Sequence, residues 1–194
     1  MEIDPPVRLA VTYVPVRFRF AFALLLRVDK RFADIVRAAR DPMIAQIKMA
    51  WWREAFEKAP HLRPKGEPLL NALNEVGDVI PLPALEALIA AWEPLLGSEP
   101  WSQQVIDRHT EFRATAVFQT YAQWMDNTQD VRPIGQVWAL EDLRRMFPDR
   151  VPHEVCIQHA DLPKAWALRP LSILTMSLLT ASGPRLIWHA LTVR

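Results

Sequence analysis

The sequence predicts an all-α fold in a single domain, and three observations carry that expectation. Apolar residues recur at three- and four-residue steps through nearly every long segment. Several prolines stand at the openings of those segments, where a missing N–H does no harm. No stretch combines β-branched alternation with a hairpin turn, so no strand is required. At 194 residues the chain can bury one real core and is short for two.

Taken in order, residues 1–14 read as an extended lead-in, with Asp4-Pro5-Pro6 and Tyr13-Val14-Pro15 as breakers. A helix is expected from Pro15 to Arg40, where Phe18, Phe22, Leu25, Asp29, Phe32 and Val36 keep helical spacing. Asp41 is a good N-cap and Pro42 a good first residue for the next helix, which runs to Lys58. In that helix Met43, Ile47, Ala50 and Trp51 form one stripe. Met49, Trp52 and Phe56 widen it to more than half the circumference. So apolar a helix is expected to be contacted from two sides, near the centre of the bundle. Composition alone makes Trp51 and Trp52 core residues. Ala59–Glu67 is a loop, and Pro68–Val79 and Pro83–Trp92 are two shorter helices split by Ile80-Pro81-Leu82. Gly97-Ser98-Glu99-Pro100 is a turn. A long helix follows from Trp101 to Met125, then a polar loop at Asp126–Pro133 and a helix at Ile134–Met146. Phe147–Pro152 breaks that helix, and His153–Ala160 is a short helical turn. Leu162–Thr180 and Arg185–Thr192 close the chain as helices. Neither an internal repeat nor a low-complexity tract is present.

Composition narrows the function classes. Lys and Arg number 23 against 22 Asp and Glu, and this near-neutral balance excludes a nucleic-acid binder. One cysteine, Cys156, cannot form an internal disulfide and points to a reducing compartment. The apolar run Phe20–Leu26 is far too short to span a membrane. Arg8, Arg17 and Arg19 before it imitate a signal peptide, but no small-residue cleavage site follows. The expected location is the cytoplasm.

Four groups of residues resemble one family. Tyr13-Val14-Pro15, Leu24-Leu25-Leu26-Arg27, Ala33-Asp34-Ile35-Val36 and the Trp51-Trp52-Arg53 helix are similar to the opening of squalene/phytoene synthase proteins. In that family a tyrosine and a proline precede an apolar helix, an Asp-Asp-Ile-Val-Asp stretch, and a helix with paired aromatic residues. Ile134-Gly135-Gln136-Val137-Trp138-Ala139-Leu140 resembles the Leu-Gly-x-Ala segment that opens the family's second aspartate-rich helix. The resemblance implies a helical bundle of the isoprenoid (terpenoid) synthase type, here shortened and covering residues 1–194.

It also implies a chemistry. The family's condensing enzymes join two prenyl diphosphates head to head, and Mg²⁺ neutralises the leaving diphosphate. Hard cations want carboxylate oxygens, supplied by Asp at i and i+4 on two facing helices. Laid on this sequence, the first motif loses its flanking aspartates at Ala33 and Arg37 and keeps only Asp34. The second puts Met146 and Arg150 where aspartates belong, while Leu140, Leu143 and Arg145 agree, and its amide positions become Ala139 and Asp142. With four carboxylates missing, no metal and no cofactor are expected. Arginine can bind a diphosphate directly but cannot recruit Mg²⁺. The implied protein is a non-catalytic member that binds a lipid or prenyl ligand or acts in assembly. It resembles the branch represented in eukaryotes by a mitochondrial respiratory complex I assembly factor. Its candidate pocket residues are Asp34, Arg37, Trp51, Trp52, Arg53 and Arg145. The alternative is an active prenyl-diphosphate transferase with Mg²⁺ held atypically. It would need Asp34 and Asp142 as catalytic residues, with Asp29 and Glu141 converging on the same cavity.

Other constellations are weaker. Asp126 and Asp130 have i, i+4 spacing but lie in a polar turn, out of place for either motif. His153, Cys156 and His159 are ligand types that fan around about 120° of a helix, with no CxxC partner. Serines lack a neighbouring base, and the five glycines form no phosphate loop. In Leu162–Arg194, basic residues and Trp166 and Trp188 flank an apolar stripe, which reads first as two helices closing the bundle. The same pattern suits an anionic membrane surface. A membrane surface or a membrane-associated protein complex is therefore the expected partner, with the protein peripheral to the inner membrane.

Overall fold

In the computed structural model, which describes residues 4–97, 99–155, 161–163 and 165–179, helices carry the fold and no strand occurs among the described residues. The first is α1, Pro5–Thr12, in the segment expected to be extended. The correction has a simple cause. Pro5 and Pro6 occupy the first turn, whose N–H groups need no intrahelical partner, and Arg8 N–H donates to the Asp4 carbonyl at 2.9 Å. The prolines read as breakers are openers.

Pro15 then starts α2, Val16–Arg37, and the Arg19 guanidinium ties the corner by donating to the Thr12 and Val14 carbonyls. Helix α3, Pro42–Glu57, is capped by Asp41, whose carboxylate accepts from Met43 N–H at 2.8 Å. It buries Ala45, Met49, Trp52, Ala55 and Phe56, and the Trp52 ring meets Phe32 edge-on at 5.8 Å. The expected central position of this helix is not observed. Met43, Ile44, Ile47 and Trp51 face outward, so α3 packs on one side only.

Helices α4, Pro68–Val76, and α5, Leu82–Trp92, follow. The long helix comes as α6, Gln103–Ala114, a π turn at Thr115–Gln119, and α7, Thr120–Trp124. After α8, Arg132–Met146, the segment expected to be helical from Leu162 instead begins with a 3₁₀ turn at Trp166–Leu168. Helix α9, Arg169–Leu179, follows it. The helix expected at Arg185–Thr192 lies outside the described residues, as do Cys156 and His159, while His153 is exposed in a turn.

The packing sets the site. Helix α6 lies between α5 and α8, α9 joins α8 to α1, and α2 rests on α5 and α4. A Cβ on Gly135 of α8 would come within 2.7 Å of the Ala114 Cβ and 2.9 Å of Phe118. Glycine there allows α6 and α8 to touch, which brings Arg113 against α8. The polar loop is shorter than expected, because Arg132 and Pro133 already open α8; in the turn before it Asp130 pairs with Arg132 at 2.8 Å and Asp126 takes a positive φ of 50°.

Candidate functional site

The site begins with an acid in a core stripe. Asp29 occupies α2 in helical register with Phe22, Leu25, Phe32 and Val36, all buried, and is itself buried. Such a carboxylate must be paired. Arg113 from α6 supplies the pair. Its Nε donates to both Asp29 oxygens at 3.0 and 3.1 Å, and its Nη2 donates to Asp29 Oδ2 at 2.7 Å. Trp92 Nε1 of α5 donates to Asp29 Oδ1 at 2.7 Å. The same Arg113 Nη2 reaches Asp142 Oδ2 on α8 at 2.5 Å. Its guanidinium lies between two indoles, 4.1 Å from the Trp138 ring centre and 5.0 Å from that of Trp92.

Electrostatics follow from this packing. Burial disfavours the Arg113 cation, but the charges and hydrogen bonds of Asp29 and Asp142 outweigh it and hold its pKa above the ordinary arginine value. His109, one turn earlier, goes the other way. Full burial and then the Arg113 charge push it down to about 3, against a hydrogen bond to the Ala91 carbonyl at 2.9 Å. A carbonyl only accepts, so Nδ1 carries the proton, and Nε2 has no partner.

Above this floor opens a cavity of about 350 Å³ between α2, α8, α1 and α9. That is near the lower end for a pocket holding one small molecule, ~300–1,000 Å³. Leu26, Ala33, Met146, Leu174 and Leu178 make it apolar. Arg27, Lys30, Arg37 and Arg145 add four cations to the lining. These cations are poorly engaged. Arg145 lies 3.8 Å from Asp4, and Lys30 and Arg37 lie 3.9 and 3.6 Å from Asp34, all beyond hydrogen-bonding distance. Arg27 Nε is buried and has no partner.

The match to known sequences agrees with this architecture. A family model described as squalene/phytoene synthase matches residues 4–136, more than half of the chain. The chain belongs to the squalene/phytoene synthase family. No curated protein and no solved structure matches it significantly. The bundle is accordingly all-α and of the isoprenoid-synthase type.

Family membership makes the metal question concrete. Of the four positions where the two motifs lose carboxylates, Ala33, Arg37 and Met146 line the cavity. Arg150 does not: it pairs with Glu99 at 2.8 Å and lies over the Phe147 ring. Of the acids considered for an atypical metal site, Asp29 and Asp142 are drawn together, but by Arg113. Asp34 stays outside the cavity lining beside Lys30 and Arg37, and Glu141 pairs with Arg144 at 2.6 Å. Both Asp29 oxygens are already acceptors. No group of three or more His, Cys, Asp or Glu side chains suited to a metal occurs among the described residues. The donor set does not fit Mg²⁺.

Of the candidate pocket residues, Arg37 and Arg145 line the cavity and Asp34 does not; Asp142, named only for the transferase alternative, lines it too. Trp52 is core, Trp51 is on the outer face of α3, and Arg53 pairs with Glu93 at 2.9 Å. Arg113 and Lys30 were not singled out from the sequence, and Arg27 and Trp138 entered only as part of the family resemblance, not as site residues. A signal for Arg113 existed, since an acid at a core position of the second helix requires a buried cation elsewhere. Ile106, His109, Arg113, Ala116 and Thr120 mark the stripe that holds it.

Proposed function

We propose that this member of the family is a binding protein and not a transferase, and that its cavity takes one anionic isoprenoid or lipid without Mg²⁺. The observation that carries this reading is the Arg113 guanidinium joined to Asp29 and Asp142. The acids best placed to face one another from α2 and α8 are already neutralised by a side chain. A metal would have to displace a buried, multiply bonded cation. The four cations of the lining supply charge-assisted donors for a phosphate or diphosphate, and the leucines suit a hydrocarbon tail. Such a ligand would be held, and nothing in the donor set would ionise it.

Calorimetric titration with farnesyl and geranylgeranyl diphosphate tests this. The expected result is the same affinity in chelator and in millimolar Mg²⁺. Arg37→Ala and Arg145→Ala should each weaken binding by about tenfold or more. Binding only with Mg²⁺, accompanied by release of diphosphate, would restore the transferase. An assembly role is the companion reading, favoured by the outward apolar face of α3.

A further inference from the structure

We infer that Arg27 anchors the anionic ligand of the cavity: its phosphate or diphosphate headgroup seats on the Arg27–Lys30 turn of α2, while Arg37 and Arg145 steer it in. This rests on the ligand reading above and adds which cation holds the head. Three of the four lining cations have an acid close by and side chains 43, 49 and 61% exposed. They are Lys30 and Arg37, at 3.9 and 3.6 Å from Asp34, and Arg145, at 3.8 Å from Asp4. Arg27 differs on both counts. It is only partly exposed, its Nε is buried outright, and its guanidinium makes no hydrogen bond or ion pair among the described residues.

An N–H taken out of water without an acceptor carries a desolvation cost until an acceptor arrives. The acids of the lining do not supply one. Asp29 and Asp142 are held by Arg113, and Asp4 lies beside Arg145. A bound anion does, because Nε and the adjacent Nη form the two-donor fork that fits two oxygens of a phosphate. The neighbours on the same face of α2 suit it. Ala23, one turn earlier, leaves room, and Lys30, one turn later, adds a second cation. Leu26, Leu174 and Leu178 lie on the lining for a tail. A charge-assisted bond in this half-buried place is stronger than one at the exposed rim, where solvent and salt screen it. Rim charges act mainly on association, and a buried donor acts on dissociation.

Calorimetry and stopped-flow binding of farnesyl diphosphate to the full chain, in chelator, test the anchor. Arg27→Met should weaken binding by about 100-fold, mainly through faster dissociation. Arg27→Lys keeps the charge without the fork and should still lose about tenfold. Arg37→Ala and Arg145→Ala should lose affinity through slower association, and high salt should erase the difference. Inorganic diphosphate, the headgroup without a tail, should bind the wild type and not Arg27→Met. Without ligand, Arg27→Met should unfold at the same or a higher urea concentration, since no partner is lost; an arginine with a structural role would lower it. Wild-type affinity in Arg27→Met, or a less stable unliganded variant, would overturn the proposal. Faster dissociation confined to the rim variants would place the head at Arg37 and Arg145, leaving the ligand reading intact without this anchor. No binding by the wild type would remove both.

Discussion

The floor and the rim of the cavity use the same side chain in opposite circumstances. At the floor, Arg113 is buried, bonded to two carboxylates and enclosed by two indoles. At the rim, Arg37 and Arg145 are about half exposed and meet their nearest acids only at 3.6 and 3.8 Å. A buried guanidinium held by two carboxylates, with each of its nitrogens directed at an acceptor, is part of the architecture. One whose donors are open beside an apolar cavity is available to a ligand. The difference separates stability from binding, and substitutions can pull the two apart.

The largest effect should come from Arg113→Leu, which leaves Asp29 charged and unpaired in the core. A loss of about 3–5 kcal/mol is expected in urea unfolding. Adding Asp29→Asn should recover part of it. A cost near zero would mean that the ion network is incidental.

Gly135→Ala comes next. Its new Cβ would collide with Ala114 on α6, and about 1–3 kcal/mol should be lost through overpacking. Because that contact holds Arg113 against α8, the same variant should loosen the floor, visible as faster amide exchange in α6.

His109 gives a pH test. Its folded pKa of about 3 lies below the unfolded value of 6.5, so below pH 6.5 the unfolded chain binds a proton that the native state refuses. The stability it confers is complete above pH 6.5 and is lost as pH falls towards 3, by up to about 1.4 kcal/mol per pH unit. Unfolding at pH 7.5 and 5.5 should show the loss, and His109→Asn should remove this component of the slope.

The smallest stability effect belongs to the rim. Arg37→Ala and Arg145→Ala should each change unfolding free energy by less than about 0.5 kcal/mol while weakening the ligand. If they destabilise as much as Arg113→Leu, the distinction between floor and rim fails.

Much of the fold could be read in advance because helical spacing and proline openers are local signals. Asp41-Pro42 placed the start of α3 correctly. The same local reading failed at Pro5-Pro6, where a helix opener and a breaker look alike until Val7 and Ala10 find a core to pack on. It failed again on α3, where counting apolar residues around the helix does not say how many faces have neighbours. The site divided in the same way. Arg37, Asp142 and Arg145 could be named from motif positions, and all three line the cavity. No motif names Arg113: the buried acid calls for a cation, but the partner of Asp29 is 84 residues away and only tertiary packing picks it out.

The measurement that tests the central claim most directly is electron paramagnetic resonance of Mn²⁺, standing in for Mg²⁺, added to the full chain with and without farnesyl diphosphate. With Arg113 in the cation's place, all Mn²⁺ beyond that chelated by free diphosphate should remain in solution while the ligand binds. Stoichiometric Mn²⁺ binding that Asp29→Asn or Asp142→Asn abolishes would contradict the account and make the floor a metal site.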